Sequence, residues 1–277
     1  MKTLQLLGRD LEFEAAPNDH YLEHMGIGGP VDLIPIFQAF LKPGDTVVDV
    51  GANIGVTAAI EAILVEPGRV LAIEALPETF GFLSENLAGS GLTGVSCVNA
   101  AAAAAPGAVE MIVHPGWGFG AFVGYENVLD RYRDFTAYQV PARTLDQLVE
   151  AAELDRVDFV KIDVEGFELE VLRGASRVLQ EHRPTVILEA NHYCLNVFRR
   201  LSIVDFLEEV LDVFPVVLAV DTDFLILDLT DTGTHQHFFH ENVVSGRFPN
   251  LLCGFSDNVR PRAASLAAAH EGVSTTD

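Results

Sequence analysis

Short apolar segments alternate with helix-length amphipathic segments along most of this chain of 277 residues. The apolar segments are rich in Val, Ile and Leu, which is typical of strands buried on both faces of a parallel sheet. The alternation therefore predicts an α/β fold, with a mostly parallel Rossmann-like sheet and helices on both of its faces. Seven principal strands are predicted, at residues 46–50, 69–74, 95–99, 158–163, 185–190, 216–220 and 224–228.

Six intervening segments have the apolar spacing of amphipathic helices. The fourth begins after Thr144, and Gln147 stands at the spacing of a capping box. Residues 108–142 contain two strand-like pieces, at 109–113 and 137–142, which predict a hairpin insertion beside the site. The predicted helices are at residues 31–41, 54–65, 77–87, 145–152, 168–181 and 202–211.

Composition and pattern divide the chain into three parts. Residues 1–44 form a predicted entrance segment, and residues 45–230 form the core that contains the sheet. Residues 231–277 form a C-terminal extension that becomes rich in Ala, Ser and Thr after Ser256. We expect the end of this extension to be frayed, because such a sequence offers few apolar groups to anchor it.

The chain carries a large negative charge. With 17 Lys and Arg against 40 Asp and Glu, the formal charge at pH 7 is −23. Nucleic-acid affinity depends largely on Lys and Arg contacts to phosphates, so DNA and RNA substrates are not expected. The three cysteines form no CxxC pair, and neither a secretory signal nor a membrane-spanning apolar stretch is visible. These features predict a soluble cytoplasmic protein.

The first predicted strand leads into a glycine-containing turn and then into a helix. Gly51 and Gly55 flank Asn53, and glycines at such a turn allow a ligand to approach the backbone. The dinucleotide fingerprint requires further glycines at positions 53 and 56, but Asn53 and Val56 stand there, which disfavours a nicotinamide cofactor. The next strand ends at Glu74, where a carboxylate can accept hydrogen bonds from both hydroxyls of an unphosphorylated ribose. An adenosine ligand fits both features.

Asp49 precedes this turn, inside the apolar strand. A buried carboxylate is costly unless it receives hydrogen bonds or faces a cation. A nearby ammonium or sulfonium group would supply that cation, and S-adenosylmethionine (SAM) combines adenosine with both. Asp49 and Glu74 together therefore favour SAM as the cofactor. The alternative is that Asp49 caps the turn and Glu74 is a solvated strand end.

The fourth predicted strand ends in charged residues. Lys161, Asp163 and Glu165 alternate with apolar residues, so they lie on one side of the strand and its exit. Crowded carboxylates require cations or have raised pKa values, and open α/β sheets bind ligands at the carboxyl ends of their strands. We therefore predict a functional role for Asp163 and Glu165. The alternative is a Lys161 ion-pair network that fixes the sheet and the N-terminus of the helix at Glu168.

The fifth predicted strand also ends in polar residues. Glu189 lies at the same sheet edge as Asp163, and His192, three residues later, is a candidate general base. A packing or surface role for His192 is the alternative, and His114 in the insertion is a weaker candidate.

Residues of metal-binding types are grouped at two places in the sequence. At the sheet edge, Asp163 and Glu189 could hold a divalent cation such as Mg²⁺ as the alternative to a general base, and the sequence does not choose between the two. In the C-terminal extension, four residues of metal-binding types lie in a loop that contains Gly and Thr. Their spacing does not match a closed zinc site, and we predict no metal there. They are His235, His237, His240 and Glu241.

From about residue 29 to residue 228, the chain resembles the FkbM family of SAM-dependent methyltransferases, within the class I methyltransferase fold. Residues 40–55 resemble the first motif of the family, and residues 161–168 resemble its most specific segment. Glu74, Pro77, Leu83 and Asn86 resemble the second motif, and Asn99, Gly107 and Glu110 the third. The resemblance implies a SAM site formed by Asp49, Gly51, Asn53, Gly55, Glu74, Asn99 and Asp163.

The same resemblance implies methylation of a hydroxyl group on a small metabolite, such as a sugar or a polyketide. The candidate catalytic residues are then Asp163, Glu165, Glu189 and His192. An N- or C-methyltransferase and a noncatalytic SAM-binding protein are the alternatives, because a fold does not determine the acceptor atom.

Overall fold

The strands and helices below come from a computed structural model that describes residues 1–16, 21–23, 30–113, 121–124 and 135–273. The strands are β1 (Lys2–Leu6), β2 (Arg9–Phe13), β3 (Thr46–Val50), β4 (Arg69–Glu74), β5 (Val95–Asn99), β6 (Ala101–Ala102), β7 (Gly107–Val113), β8 (Ala121–Val123), β9 (Thr136–Arg143), β10 (Phe159–Ile162), β11 (Thr185–Glu189), β12 (Val216–Val220), β13 (Ile226–Asp228) and β14 (Asn250–Gly254). The α-helices are α1 (Ile34–Phe40), α2 (Val56–Val65), α3 (Pro77–Gly89), α4 (Leu145–Ala151), α5 (Glu168–Arg173), α6 (Ser176–His182), α7 (His192–Cys194), α8 (Ile203–Val213), α9 (His235–Ser245) and α10 (Val259–Val273). A π-helical turn at Leu195–Arg199 follows α7.

Eight of these strands form one central sheet in the order β13-β12-β14-β11-β10-β3-β4-β5. From β11 to β5 all neighbours are parallel. β14 runs antiparallel between β11 and β12, and β13 is antiparallel to β12 at the edge. The predicted α/β fold with a mostly parallel sheet is confirmed.

The central sheet has one strand more than the seven predicted, and the addition is β14. Leu251 of this strand packs into the core on one face of the sheet, and Leu252 packs into the core on the other. The segment is short and follows Pro249 in a polar stretch, so its pattern does not stand out from a loop. The seven predicted strands all form, and β3, β4, β5 and β12 have the predicted bounds.

Helices cover both faces of the central sheet, as predicted. Because side chains alternate along a strand, Val48 of β3 contributes to one core and Val47 contributes to the other. Residues of α4, α5, α6 and α8 pack into the core that contains Val48, and residues of α1, α2, α3 and α10 pack into the opposite core. Among the described residues, no helix combines the length and the apolar content that crossing a bilayer demands.

Two predicted helices differ from the observed ones by more than two residues at an end or by a break. The segment 168–181 forms α5 and α6 rather than one helix. The break falls at Gly174, whose carbonyl oxygen accepts a hydrogen bond from the N–H of Asp146 at 3.1 Å. A Cβ atom at Gly174 would also lie 2.1 Å from the carbonyl oxygen of Ala103. The segment 31–41 begins as a 3₁₀ turn at Pro30–Leu33 before α1.

Two segments of the C-terminal extension that are not among the predicted helices are helical. The His-containing segment forms α9, which is anchored by the fully buried ring of Phe238. The Ala-rich segment forms α10, where Val259, Ala263 and Leu266 are buried at helical spacing. The small size of the alanines conceals this apolar stripe in the sequence. Residues 274–277, which we expect to fray, lie outside the described residues.

The predicted hairpin insertion is part of a four-stranded sheet in the order β6-β9-β7-β8. β7 and β9 form the expected antiparallel pair, and β6 and β8 extend it on both sides. The ring of Phe122 on β8 stacks on Phe198 of the π-helical turn, with the ring centroids 3.8 Å apart. This contact ties the insertion to the segment that follows β11.

Candidate active site

The candidate site lies at the edge of the central sheet where its parallel strands end. β11, β10, β3 and β4 are consecutive strands there. Glu189 ends β11, Asp163 and Gly51 directly follow β10 and β3, and Glu74 ends β4. Open α/β sheets bind ligands at this edge. The structure therefore brings the predicted cofactor residues and the predicted acids together in neighbouring loops.

The glycines after β3 are required by packing within the protein. Gly51 has a φ of +82°, and a Cβ atom there would lie 1.9 Å from the carbonyl oxygen of Asp163. Gly55 has a φ of +98°, and its Cβ atom would lie 2.9 Å from Cδ1 of Leu83. Packing within the protein therefore explains these glycines, and the interpretation that they also let a ligand approach the backbone stays a prediction.

Glu74 shapes the same loop from the end of β4. Its Oε2 accepts a hydrogen bond from the N–H of Asn53 at 3.1 Å, and its Oε1 accepts one from the N–H of Leu76 at 2.9 Å. Burial raises the pKa of Glu74, while these N–H groups act in the opposite direction. The side-chain amide of Asn99 donates to the carbonyl oxygens of Glu74 and Ala75, each at 2.9 Å. Both predicted cofactor residues thus also fix the backbone around the site.

Asp49 is fully buried beneath the glycine loop. Its Oδ1 lies 3.1 Å from Nζ of Lys161, and its Oδ2 accepts a hydrogen bond from the hydroxyl of Thr57 at 2.5 Å. We expected a ligand to supply the cation that faces Asp49, and this expectation is corrected because Lys161 supplies it. Burial alone would lower the pKa of Lys161, but the charges of Asp49 and Asp163 outweigh it and raise this pKa.

The turn between β10 and α5 presents the predicted acids. Asp163 is half-exposed, with 44% of its side chain accessible, and lies 3.5 Å from Nζ of Lys161. Glu165 adopts a φ of +55° and accepts a hydrogen bond from the thiol of Cys194 at 2.9 Å. Burial, aided by the charge of Asp163, raises the pKa of Glu165 to about 8. Glu165 therefore titrates near neutral pH, where a general base is most effective.

Glu168 supports this turn from below. Its Oε1 accepts hydrogen bonds from the N–H groups of Val164 and Gly166, each at 3.1 Å. Burial raises the pKa of Glu168 to about 7, although the N–H groups favour its charged form. Glu168 thus fixes the N-terminus of α5, which is part of the structural alternative that we considered for this segment.

Glu189 and His192 line the neighbouring loop. Oε1 of Glu189 accepts a hydrogen bond from the side-chain amide of Asn191 at 3.2 Å. Oε2 of Glu189 and Nδ1 of His192 are buried, and neither has a hydrogen-bond partner within the part of the chain that the structure describes. Burial raises the pKa of Glu189, and the charges of Asp163 and Glu165 add to this effect. The acids of the two loops are therefore close enough to influence one another.

Three residues that surround the site are not predicted from the sequence. Thr57 binds Asp49, the thiol of Cys194 binds Glu165, and Glu61 on α2 is fully buried and faces Asp49 and Lys161. Thr57 could have been predicted, because it lies in the first turn of the helix that follows the strand of Asp49. Cys194 lies far from Glu165 in sequence, so no local pattern could indicate their contact.

The histidines of the C-terminal extension lie on α9 rather than in a loop. Nε2 of His235 lies 2.7 Å from the carbonyl oxygen of Leu229, and His237 packs edge-on against Phe248. Across the described ranges, no three His, Cys, Asp or Glu side chains are grouped as metal ligands. The prediction of no metal there stays a prediction, and His114 lies outside the described residues.

Comparison with known families identifies this arrangement. Residues 49–213 match the family model described as the Methyltransferase FkbM domain. The match covers more than half of the chain, and it includes the glycine loop, Glu74 and the turn that carries Asp163 and Glu165. The chain belongs to the FkbM methyltransferase family. The predicted family is confirmed.

Individual relatives of this FkbM-family chain share 20–30% of its residues over part of its length. It is 30% identical to the hexuronic acid methyltransferase AglP of Haloferax volcanii, over 55% of this chain and 59% of that protein. It is 27% identical to the methyltransferase sdnD of Sordaria araneosa, over 54% of this chain and 68% of that protein. The chain thus spans less than two thirds of the Haloferax relative. The solved structure of the methyltransferase FkbM from Methylobacillus flagellatus KT matches with 20% identity and a TM-score of 0.43, over 64% of this chain and 42% of that one.

The raised pKa of Glu168 makes a prediction about stability. Its pKa rises from 4.5 in a free glutamate to about 7 in the fold, so the folded state holds this proton more tightly than the unfolded state. Its stabilising contribution is full below pH 4.5 and is lost as the pH rises through 7. Glu168→Gln keeps the accepting oxygen but does not titrate. Between pH 5 and pH 8 we therefore expect the unfolding free energy of this variant to fall by about 1–3 kcal/mol less than that of the wild type.

Urea unfolding at both pH values measures this difference. Glu181→Gln, which changes an exposed glutamate, serves as the control and should follow the wild type. If the unfolding free energies of Glu168→Gln and the wild type fell equally between the two pH values, the raised pKa of Glu168 would be contradicted.

Proposed function

We propose that this FkbM-family protein transfers the methyl group of SAM to a hydroxyl oxygen of a small-molecule acceptor. The observation that carries the proposal is that the family match spans both the glycine loop with Glu74 and the acid-bearing turn after β10. These two groups of residues lie at the ends of adjacent strands of the central sheet. A cofactor at the first group would therefore have its reactive end near the acids of the second.

We place SAM over the loop at residues 51–55, with its ribose on Glu74. A carboxylate offers about four acceptor positions, and the N–H groups of Asn53 and Leu76 use only part of the capacity of Glu74. The N-terminus of α2 presents its first N–H groups beside the loop, and such groups favour polar or anionic ligand atoms. When bound, SAM supplies an electrophilic methyl group.

On the acceptor side, we propose Glu165 as the general base. An alcohol is a weak nucleophile, and a base in hydrogen-bond contact contributes about 10²–10⁴-fold to such a reaction. Glu165 has a pKa of about 8, and the thiol of Cys194 holds its carboxyl group in place. Asp163, Glu189 and His192 would line the acceptor pocket beside it. The alternatives are that Asp163 or His192 is the base, or that Asp163 and Glu189 hold a divalent cation.

The placement of SAM predicts the effect of Glu74→Gln. This change retains an oxygen for one of the two N–H groups that Glu74 binds, and it removes the charge that would face the ribose. We expect SAM to bind more weakly by about 1–3 kcal/mol, because hydrogen bonds to a charged group are the stronger ones. Isothermal titration calorimetry measures this change, with Glu78→Gln on the exposed first turn of α3 as the control. Equal affinity in all three proteins would rule out the contact.

The role of Glu165 predicts a pH dependence. A base acts only when deprotonated, so the single-turnover rate should rise with pH up to about 8, the pKa of Glu165, and level off above it. Glu165→Gln should lower the rate by about 10²–10⁴-fold and abolish this rise, with SAM affinity unchanged.

Parallel measurements separate the alternative mechanisms. If Asp163→Asn rather than Glu165→Gln removes the pH dependence, Asp163 is the base. If dialysis against EDTA removes activity and Mg²⁺ restores it, a cation activates the hydroxyl. A normal rate in Glu165→Gln would remove Glu165 from the catalytic residues.

The charge of the acceptor pocket bears on the substrate. Asp163, Glu165 and Glu189 approach one another, and the nearby Lys161 is already engaged by Asp49. An acceptor carboxylate about 4 Å from one ionised acid would be repelled by about 1–4 kcal/mol. We therefore propose a neutral hydroxyl-bearing acceptor, in contrast to the hexuronic acid in the name of the Haloferax relative.

Paired acceptors that differ only in a carboxylate test this proposal. We expect a neutral hexose to be methylated with a kcat/KM at least tenfold higher than that of the corresponding hexuronic acid. Asp163→Asn should narrow this ratio even if it lowers both rates, because it removes one repelling charge. A preference for the acid would contradict the proposal.

Isotopically labelled SAM separates the remaining functions. Label recovered as a methyl ether supports O-methylation, whereas label on nitrogen or carbon identifies a different acceptor atom. SAM binding without turnover on any acceptor of a metabolite extract would favour a noncatalytic SAM-binding protein.

A further inference from the structure

Lys161 joins the two loops that form the candidate site. Its Nζ lies 3.2 Å from the carbonyl oxygen of Gly51, in the loop after β3, and 3.5 Å from Oδ2 of Asp163, in the turn after β10. Its third partner is Asp49, at 3.1 Å. Lys161 is 2% exposed, so these contacts form within the protein and beneath the surface of the site.

The backbones of the same two loops are also in close contact. The N–H of Asp163 donates to the carbonyl oxygen of Val50 at 3.1 Å. Gly51 passes so close to the carbonyl group of Asp163 that a Cβ atom would overlap it. A displacement of one loop must therefore displace the other, and Lys161 is the side chain that contacts both.

A simpler role for Lys161 is to neutralise Asp49. The two residues are paired in register across β10 and β3, and a buried carboxylate needs a cation. Neutralisation alone, however, does not require contacts with Gly51 and Asp163. The two roles therefore predict different outcomes when both charges are removed together.

We propose that Lys161 is a positioning residue for methyl transfer, which holds the glycine loop and the carboxylate of Asp163 in one fixed relation. This inference rests on the proposed function, because the glycine loop would carry the cofactor and Asp163 would lie beside the acceptor. By this assignment Lys161 touches neither molecule and acts through the two loops.

The double variant Asp49→Asn/Lys161→Met tests this proposal. It removes both buried charges while approximately preserving side-chain length, so neither charge is left unpaired. We expect the variant to fold, to bind SAM at least tenfold more weakly and to have a single-turnover rate at saturating SAM that is lower by tenfold or more, because small misplacements of reacting groups have large effects on rate. Circular dichroism, calorimetry and rapid-quench measurements give the three quantities.

Glu61→Gln is the matched control. Glu61 faces Asp49 and Lys161 in the same buried cluster but contacts neither loop through a hydrogen bond. Burial and the charge of Asp49 raise the pKa of Glu61 well above its usual range, and this shift favours the protonated form that glutamine resembles. This variant should bind SAM and turn over as the wild type does.

Each outcome bears on the proposal. A folded double variant with wild-type SAM affinity and rate would overturn it and leave Lys161 as a counter-charge. If the Met variant fails to fold, Asp49→Asn/Lys161→Gln replaces it, since glutamine can hydrogen-bond to the introduced asparagine but is too short to reach both loops. Failure of both variants to fold would also overturn the proposal, because Lys161 would then act on stability. If the wild type binds no SAM, the proposed function itself fails.

Discussion

The buried ion pair between Asp49 and Lys161 is the constraint on which the site depends. Removing two charges from water is unfavourable, and only good geometry and additional hydrogen bonds offset that cost. Here Thr57 satisfies the second oxygen of Asp49, and Gly51 and Asp163 satisfy the ammonium group. Such a pair is weak evidence for added stability. It does restrict the register, because shifting β3 against β10 by one residue would leave both charges buried without partners.

The close approach of the loops follows from that register. With β3 and β10 fixed side by side, the chains that leave them come into contact at Gly51 and the carbonyl group of Asp163. Only glycine can occupy that position, because it lacks a Cβ atom and tolerates a positive φ. The glycine is therefore explained by the fold itself, and a ligand would use a loop whose shape was already set by protein contacts.

The sequence predicts the parallel part of the sheet well, because each of its strands combines an apolar run with a polar end. β14 is different, since its five residues pair with β11 and β12 and owe their position to these neighbours. The break at Gly174 also depends on a distant segment, the carbonyl group of Ala103. Likewise, the sequence locates Asp49 and Glu165 but not their pairing with Lys161 and Cys194, because such pairs are fixed by topology rather than by spacing.

The two sides of the site are held by different parts of the molecule. The proposed cofactor side is fixed by the sheet, through the contacts of Glu74, Asn99 and Lys161. The proposed acceptor side depends on α7 and the π-helical turn, since the thiol of Cys194 holds Glu165, and the guanidinium of Arg199 stacks over Phe167 at 4.7 Å. That turn is braced by Phe122 of the insertion. Changes in the insertion can therefore move the side chain of Glu165, whereas Asp163 and the glycine loop stay joined through Lys161, so the proposed acceptor pocket can vary on an unchanged sheet.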